Sequence, residues 1–201
     1  QITPIPAGVA PEAAASLGVS GLSAYIPLVE DARLAAGQRV LIHAGAGGVG
    51  GLAIQIARHL GAEVLATCSA ANRAFCIELG ATRVIDYATE DFVAAAPDCD
   101  VVLDTIGGET HLRSRRALKP GGVLVALSAA PVPGAPPRAD IRVVAPRIQA
   151  TRARLEQLLE WAVSGVIRSP VESRFPFERA PDAYRVSESG HARGKIVLTL
   201  A

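Results

Sequence analysis

The segment Val40-Leu-Ile-His-Ala-Gly-Ala-Gly-Gly-Val-Gly50 constrains the fold more than any other stretch of this chain. Residues 39–43 form a short apolar run between Gly37 and a cluster of glycines, as expected of a strand covered on both faces. Gly45, Gly47 and Gly50 then fill the three slots of G-x-G-x-x-G. Val49, Leu52, Ala53, Ile56, Ala57 and Leu60 recur at helical spacing, and Gly61 stands where such a helix stops. A second apolar strand follows over 63–68. Strand, glycine turn, helix and strand is the context in which each glycine has a task. The first permits a tight turn, the second lets a pyrophosphate approach the backbone, and the third packs helix on strand. Unpaired N–H groups at the helix start favour an anion there. An ordinary glycine-rich loop in a parallel sheet is the plain alternative.

The alternation continues. Candidate strands lie at 39–43, 63–67, 83–86, 100–104, 122–127 and 141–145, with helices starting near Val49, Ala70, Glu90 and Glu109. This predicts an α/β fold, a doubly wound six-stranded parallel sheet of the Rossmann type with right-handed crossovers. Ahead of it, residues 11–34 show helical patterning broken by Gly18, Gly21 and Pro27, which predicts two short helices. Leu155, Leu158, Leu159, Ala162 and Val163 mark an amphipathic helix ending at Gly165. Residues 1–166 are thus expected to form the dinucleotide-binding domain. The tail, 167–201, holds a short helix opened by Pro181 and a last strand at 195–200. The Pro- and Gly-rich stretch 129–137 reads as a loop, either a lid over a ligand or a surface linker.

Choice between NAD and NADP falls at the end of the second strand, where an acidic side chain would bind the ribose 2′-OH and repel a 2′-phosphate. The sequence there is Thr67-Cys-Ser-Ala-Ala-Asn-Arg73, without a carboxylate. Ser69 and Asn72 offer hydrogen bonds, and Arg73 offers a charge-assisted one suited to phosphate. NADP(H) is the expected cofactor. Ser69 can equally cap the next helix, with Arg73 on its solvated face.

Of the 201 residues 50% are apolar and 19% charged, with a net charge of +1, which excludes a disordered polar chain and gives no bias toward nucleic acid or an anionic membrane. Arg113, Arg115 and Arg116 read as a solvated helix face. The three cysteines, Cys68, Cys76 and Cys99, fit no zinc spacing, so no metal is expected. Free buried thiols, no visible signal peptide and no apolar run of membrane length lead us to expect a cytoplasmic protein.

Further motifs stand in a fixed order: Gly21-Leu-Ser-Ala-Tyr25, Leu79-Gly-Ala81, Val84-Ile-Asp-Tyr87, Val102-Leu-Asp-Thr-Ile-Gly-Gly108, Leu118-Lys-Pro-Gly-Gly122 and Gly190-His-Ala-Arg-Gly-Lys-Ile-Val-Leu198. With the glycine turn, they make the chain resemble the medium-chain dehydrogenase/reductase superfamily, in its zinc-independent quinone oxidoreductase and enoyl reductase branch. The resemblance implies that Gly47, Gly48, Val49 and Gly50 form the pyrophosphate loop and that Ser23 contacts the nicotinamide–ribose end. It groups Ser69, Asn72, Arg73 and Tyr87 around the adenosine 2′-phosphate, and sets Ser128 and Lys195 near the cofactor. Lys195 also reads as a surface lysine at a strand start, and Tyr87 as an amphipathic residue at a strand exit. His43, at the end of a buried strand, reads as structural rather than as a base. Family members begin with a GroES-like catalytic domain ahead of the helix at Pro11, and this sequence contains none. The tail then looks like a remnant of that second domain, its last strand unpaired and open to another chain.

Two functions follow from the resemblance. One is an NADPH-dependent oxidoreductase, or its cofactor-binding part, passing hydride to a quinone, an enone or an enoyl thioester. The other is a binding module or redox sensor that holds NADPH without turnover. A zinc-dependent alcohol dehydrogenase fits less well, and so does a methyltransferase, whose ligand also wants an acid after the second strand. The residues name no catalytic acid or base. The expected partners are the small-molecule substrate and either a second copy of the chain or the missing catalytic domain.

Overall fold

The computed structural model describes residues 2–127, 138–190 and 192–200. Helix α1, Pro11–Tyr25, opens with Pro11 in its first turn, where no intrahelical donor is needed. Two short helices were expected here; instead α1 runs unbroken through both glycines. A methyl group on Gly21 would stand 2.9 Å from Leu158 Cδ1, so this glycine sets how closely α1 and the later helix approach. Pro27, lacking an N–H, does not end the helix but widens it into a π-helical turn, Ile26–Asp31, with Ala32 N–H bonded to the Pro27 carbonyl at 2.9 Å. The combined 21-residue span, 11–31, is long and apolar enough to cross a membrane, with a mean hydropathy of 1.2, contrary to the expectation of no such run. Some 56% of the defining window is buried within the protein, and the core cluster of Leu17, Leu22, Ala24, Ile26 and Leu28 accounts for its apolarity.

The sheet consists of β1 (Arg39–Ile42), β2 (Glu63–Cys68), β3 (Arg83–Asp86), β4 (Cys99–Asp104), β5 (Leu118–Ala126) and β6 (Arg142–Val144). Its order is β3-β2-β1-β4-β5-β6, and every pair is parallel. Between the strands run α2 (Gly50–His59), α3 (Arg73–Leu79), α4 (Phe92–Ala95) and α5 (Gly108–Ala117), and α6 (Arg152–Val163) follows β6. Alternate strand residues feed two cores. Val40, Ile42, Val64, Ala66, Val101 and Leu103 face α1, α2 and α6; Leu41, Leu65, Ile85, Val102 and Leu124 face α4 and α5. This is the doubly wound sheet the sequence predicts, with helices on both faces.

β5 begins four residues ahead of the expected 122, because Leu118 already pairs with Cys99 and Lys119 forms an ion pair with Asp100. The register then shifts, and Val101 pairs with Val123. Gly121, at φ +80°, supplies the left-handed backbone that this irregularity needs.

The tail departs further from expectation. β8, Lys195–Thr199, is not unpaired: it lies parallel to β7, Val171–Pro176, and the two make a separate sheet. Helix α7, Ala180–Glu188, connects them. The two-strand unit docks on the main domain where Gly194 N–H donates to the Ala46 carbonyl at 2.9 Å, and within the unit Lys195 N–H donates to the Pro170 carbonyl at 2.7 Å. β7 was missed because Glu172, Arg174 and Pro176 dilute its apolar signal. Its burial nevertheless alternates strictly, with Val171, Ser173 and Phe175 on the packed side.

Candidate nucleotide-binding site

In a sheet of this order, ligands bind beyond the carboxyl ends of the strands where the winding reverses, here between β1 and β4. The glycine turn leaves β1 at that point. Ala44 adopts φ +50°, a conformation that a residue with a side chain rarely takes. It is held by its N–H on Thr67 Oγ1 at 3.2 Å, and Gly45 N–H is bonded to the Thr67 carbonyl at 2.8 Å. The turn is packed so closely that side chains are excluded. A Cβ on Gly45 would lie 2.8 Å from Ala66 Cβ, and one on Gly50 would lie 2.2 Å from the Ala44 carbonyl oxygen. Gly48 is covered by the stem of Lys195, whose Cε would sit 2.4 Å from an added Cβ. Val49 is the residue just ahead of α2, and neither its N–H nor that of Gly50 has an acceptor among the described residues. A ten-residue helix thus points its positive end at the turn.

Beside the turn lies a cleft of about 320 Å³ lined by Ala44, Gly47, Ser69, Asn72, Tyr87 and the tail residue Ala192, among others. Ser69 and Asn72 face each other, with Asn72 Nδ2 donating to Ser69 Oγ at 3.2 Å. Tyr87 is 63% exposed at the rim. Among the described residues no carboxylate belongs to the lining. Asp86, at the end of the neighbouring strand, is buried and accepts from Ala88 N–H at 3.1 Å.

The expected site residues therefore divide. Gly45, Gly47, Gly48, Val49, Gly50 and Lys195 come together at the turn, and Ser69, Asn72 and Tyr87 in the cleft. Arg73 does not join them. Its guanidinium donates to the Val84 carbonyl at 2.8 Å and pairs with Glu90 at 3.2 Å, on the β3 side of α3. Ser23 is buried on α1 and lies outside the cleft lining. Ser128 and the loop 129–137 lie outside the described residues.

Two buried histidines flank the strand ends. His43 Nε2 meets Ser114 Oγ at 2.9 Å, and that hydroxyl donates to the Thr110 carbonyl, so the ring nitrogen must be the donor between them. Nδ1 then accepts from Thr67 Oγ1 at 3.1 Å, giving a neutral imidazole fully used in structure. Burial holds its pKa down to about 4, and Asp104 only partly opposes that. Asp104, which sequence reasoning did not single out, is fully buried. Its carboxylate accepts from Ile106 and Gly107 N–H, both at 2.9 Å, and faces His111 Nδ1 at 3.1 Å. An acidic residue closing a buried strand just before a Gly-Gly turn was the available signal.

An α/β domain whose glycine turn and adjoining cleft offer bare amides, hydroxyls and a lysine, with no carboxylate among the described residues, belongs to the dinucleotide-binding class. The sequence model of the zinc-binding dehydrogenases matches residues 79–198. The chain belongs to this family, as the cofactor-binding domain of a medium-chain dehydrogenase/reductase in the quinone oxidoreductase and enoyl reductase branch. It is 38% identical to the polyketide synthase GfsB of Streptomyces halstedii, over 94% of this chain and 4% of the synthase. It is 33% identical to the 2-methylene-furan-3-one reductase of Solanum lycopersicum, over 92% of this chain and 46% of the reductase. The Escherichia coli quinone oxidoreductase, solved in complex with NADPH, superposes with a TM-score of 0.87 at 28% identity, over 98% of this chain and 67% of that one. The chain thus spans less than half the length of these two curated relatives.

The family name implies zinc, and the residues do not fit it. Among the described residues no three His, Cys, Asp or Glu side chains converge. All three cysteines are buried, and burial pushes their thiols up, that of Cys99 to about 12. No step is assigned to a metal.

Proposed function

We propose that this chain holds NADP(H) and forms the cofactor-binding part of a reductase acting on an activated carbon–carbon double bond or a quinone. The observation that carries this reading is the joining of the amide-lined turn at 47–50 to a cleft that offers Ser69, Asn72 and Tyr87 and, among the described residues, no carboxylate. The turn's N–H groups would take the diphosphate, with the Lys195 ammonium close by. The hydroxyls and amide in the cleft would take a 2′-phosphate that an acid in the same place would repel. When bound, the nicotinamide supplies the hydride. The protein's own part is placement, with the rigid packing of Gly45 and Gly50 fixing the turn. An enone or enoyl thioester is the favoured substrate class, since the relatives include a furanone reductase and a polyketide synthase.

A second reading, binding without turnover, is favoured by one observation. His43 and His111, near the strand ends, are both buried and tied to structural partners, so neither is free to serve as a proton donor. Titration of NADPH and NADH fluorescence, run beside turnover of an enone and a quinone, tests both. Preference for NADPH with turnover supports the reductase. Preference for NADPH without turnover supports the binding module, and equal affinity for the two cofactors contradicts the NADP assignment.

A further inference from the structure

With Arg73 committed to Glu90 and the Val84 carbonyl, the cleft needs another cation if it is to hold a 2′-phosphate strongly. Glu90 is itself fixed, accepting from Asp86 N–H at 2.9 Å and lying 3.8 Å from Arg83, so the Arg73 guanidinium is held in a network of its own. The tail offers a different guanidinium. Arg193 stacks on the ring of Phe75, with its Cζ 4.8 Å from the ring centroid. Phe75 lies one turn along α3 from Asn72, which lines the cleft. Gly190 and Ala192, from the same lead-in as Arg193, line it too. Among the described residues no carboxylate is within ion-pairing distance of this guanidinium. Glu172, the nearby acid, is engaged by the Arg193 backbone N–H at 2.6 Å. A guanidinium stacked on an aromatic ring keeps its in-plane donors available to a phosphate.

We propose that Arg193, carried by the C-terminal two-strand unit, is the cation that reads the 2′-phosphate, and that this contact closes the unit over the cofactor. Gly194, the next residue, is bonded to Ala46 in the glycine turn, so a phosphate held by Arg193 would tighten both ends of one short segment. The tail thereby becomes a clasp that distinguishes NADP from NAD. The proposal rests on the NADP reading above.

The test uses the intact chain with adenosine 2′,5′-bisphosphate and adenosine 5′-monophosphate, measured by calorimetry. Arg193 is exposed, so Arg193→Gln should fold normally. It should weaken the bisphosphate roughly 10- to 100-fold, the loss expected for a charge-assisted contact, and leave the monophosphate unchanged. Arg73→Gln should lower the melting temperature and weaken both ligands equally. In wild type, the bisphosphate at saturation should slow amide exchange over residues 194–199 more than saturating monophosphate does, and Arg193→Gln should erase the difference. If wild type prefers the bisphosphate but Arg193→Gln retains that preference, the proposal is overturned and the NADP reading stands. If wild type shows no preference, both fall.

Discussion

Gly50→Ala should damage folding far more than Gly48→Ala two residues away, although both lie in one turn and gain one methyl group. The added carbon at position 50 would meet the Ala44 carbonyl oxygen at 2.2 Å, Ala44 C at 2.8 Å and Gly45 Cα at 2.9 Å. All three are backbone atoms. The strand cannot yield easily, because Ala44 and Gly45 are hydrogen-bonded to Thr67 and Ala44 already sits at φ +50°. Overpacking against movable side chains costs about 1–3 kcal/mol, and a fixed backbone puts this case near about 3 kcal/mol. At about 2–4 °C per kcal/mol for a chain of this size, the melting temperature should fall by roughly 6–12 °C. At position 48 the clash is with Cε and Cδ of Lys195, at 2.4 and 2.8 Å. That side chain can swing aside, so the stability cost should stay below about 1 kcal/mol, while NADPH affinity falls because the ammonium is displaced. Thermal and urea unfolding of both variants, with NADPH titration, separates the cases. Equal destabilisation of the two, or a Gly50→Ala protein within about 1 kcal/mol of wild type, would refute the assignment of the tight contact to backbone.

Other outcomes follow from the same geometry. The His43 imidazole, with its pKa held near 4, binds a proton in the unfolded chain before it does in the folded one. Stability should therefore fall as pH drops from about 6.5 to about 4, with His43 contributing up to about 3 kcal/mol. An NMR titration placing its midpoint above pH 6 would contradict the burial argument. Asp104→Asn should cost about 2–3 kcal/mol in urea unfolding, since it sets an amide N–H₂ against donors that now share a carboxylate; a neutral result would show that the network is not cooperative. Ser69→Asp should place a carboxylate in the cleft lining and reverse the preference toward NADH, read as the ratio of the two dissociation constants. Retained NADPH preference would mean that the adenosine end lies elsewhere. Among the described residues β7 and β8 pair only with each other, leaving outer edges to recruit another strand. Micromolar solutions should show self-association in ultracentrifugation, and a clean monomer would argue against it.

The sheet was legible because its signals are local. Apolar runs such as Val40–Leu41–Ile42 and Val101–Val102–Leu103 are buried on both faces, and glycines punctuate them. Long-range packing decided what was not. Gly21 reads as a helix breaker until Leu158 is found against it, and Pro27 until the wider turn absorbs its missing donor. The same holds in the site. Ser69, Asn72 and the glycines are fixed by their place in the motif, so position in sequence finds them. A long arginine is different, because its head can reach several partners. Arg73 was read from its position, but its direction depends on Glu90, seventeen residues away. Arg193 stands within the tail motif 190–198, but nothing in that motif points it toward the cleft, since only the docking of the tail brings it to Phe75.

A crystal structure of this chain grown with NADPH tests the central claim most directly. We expect the diphosphate against the amides of Val49 and Gly50 and the 2′-phosphate among Ser69, Asn72 and Tyr87. A turn that stays closed to the cofactor, or an adenosine end bound outside this cleft, would contradict the account.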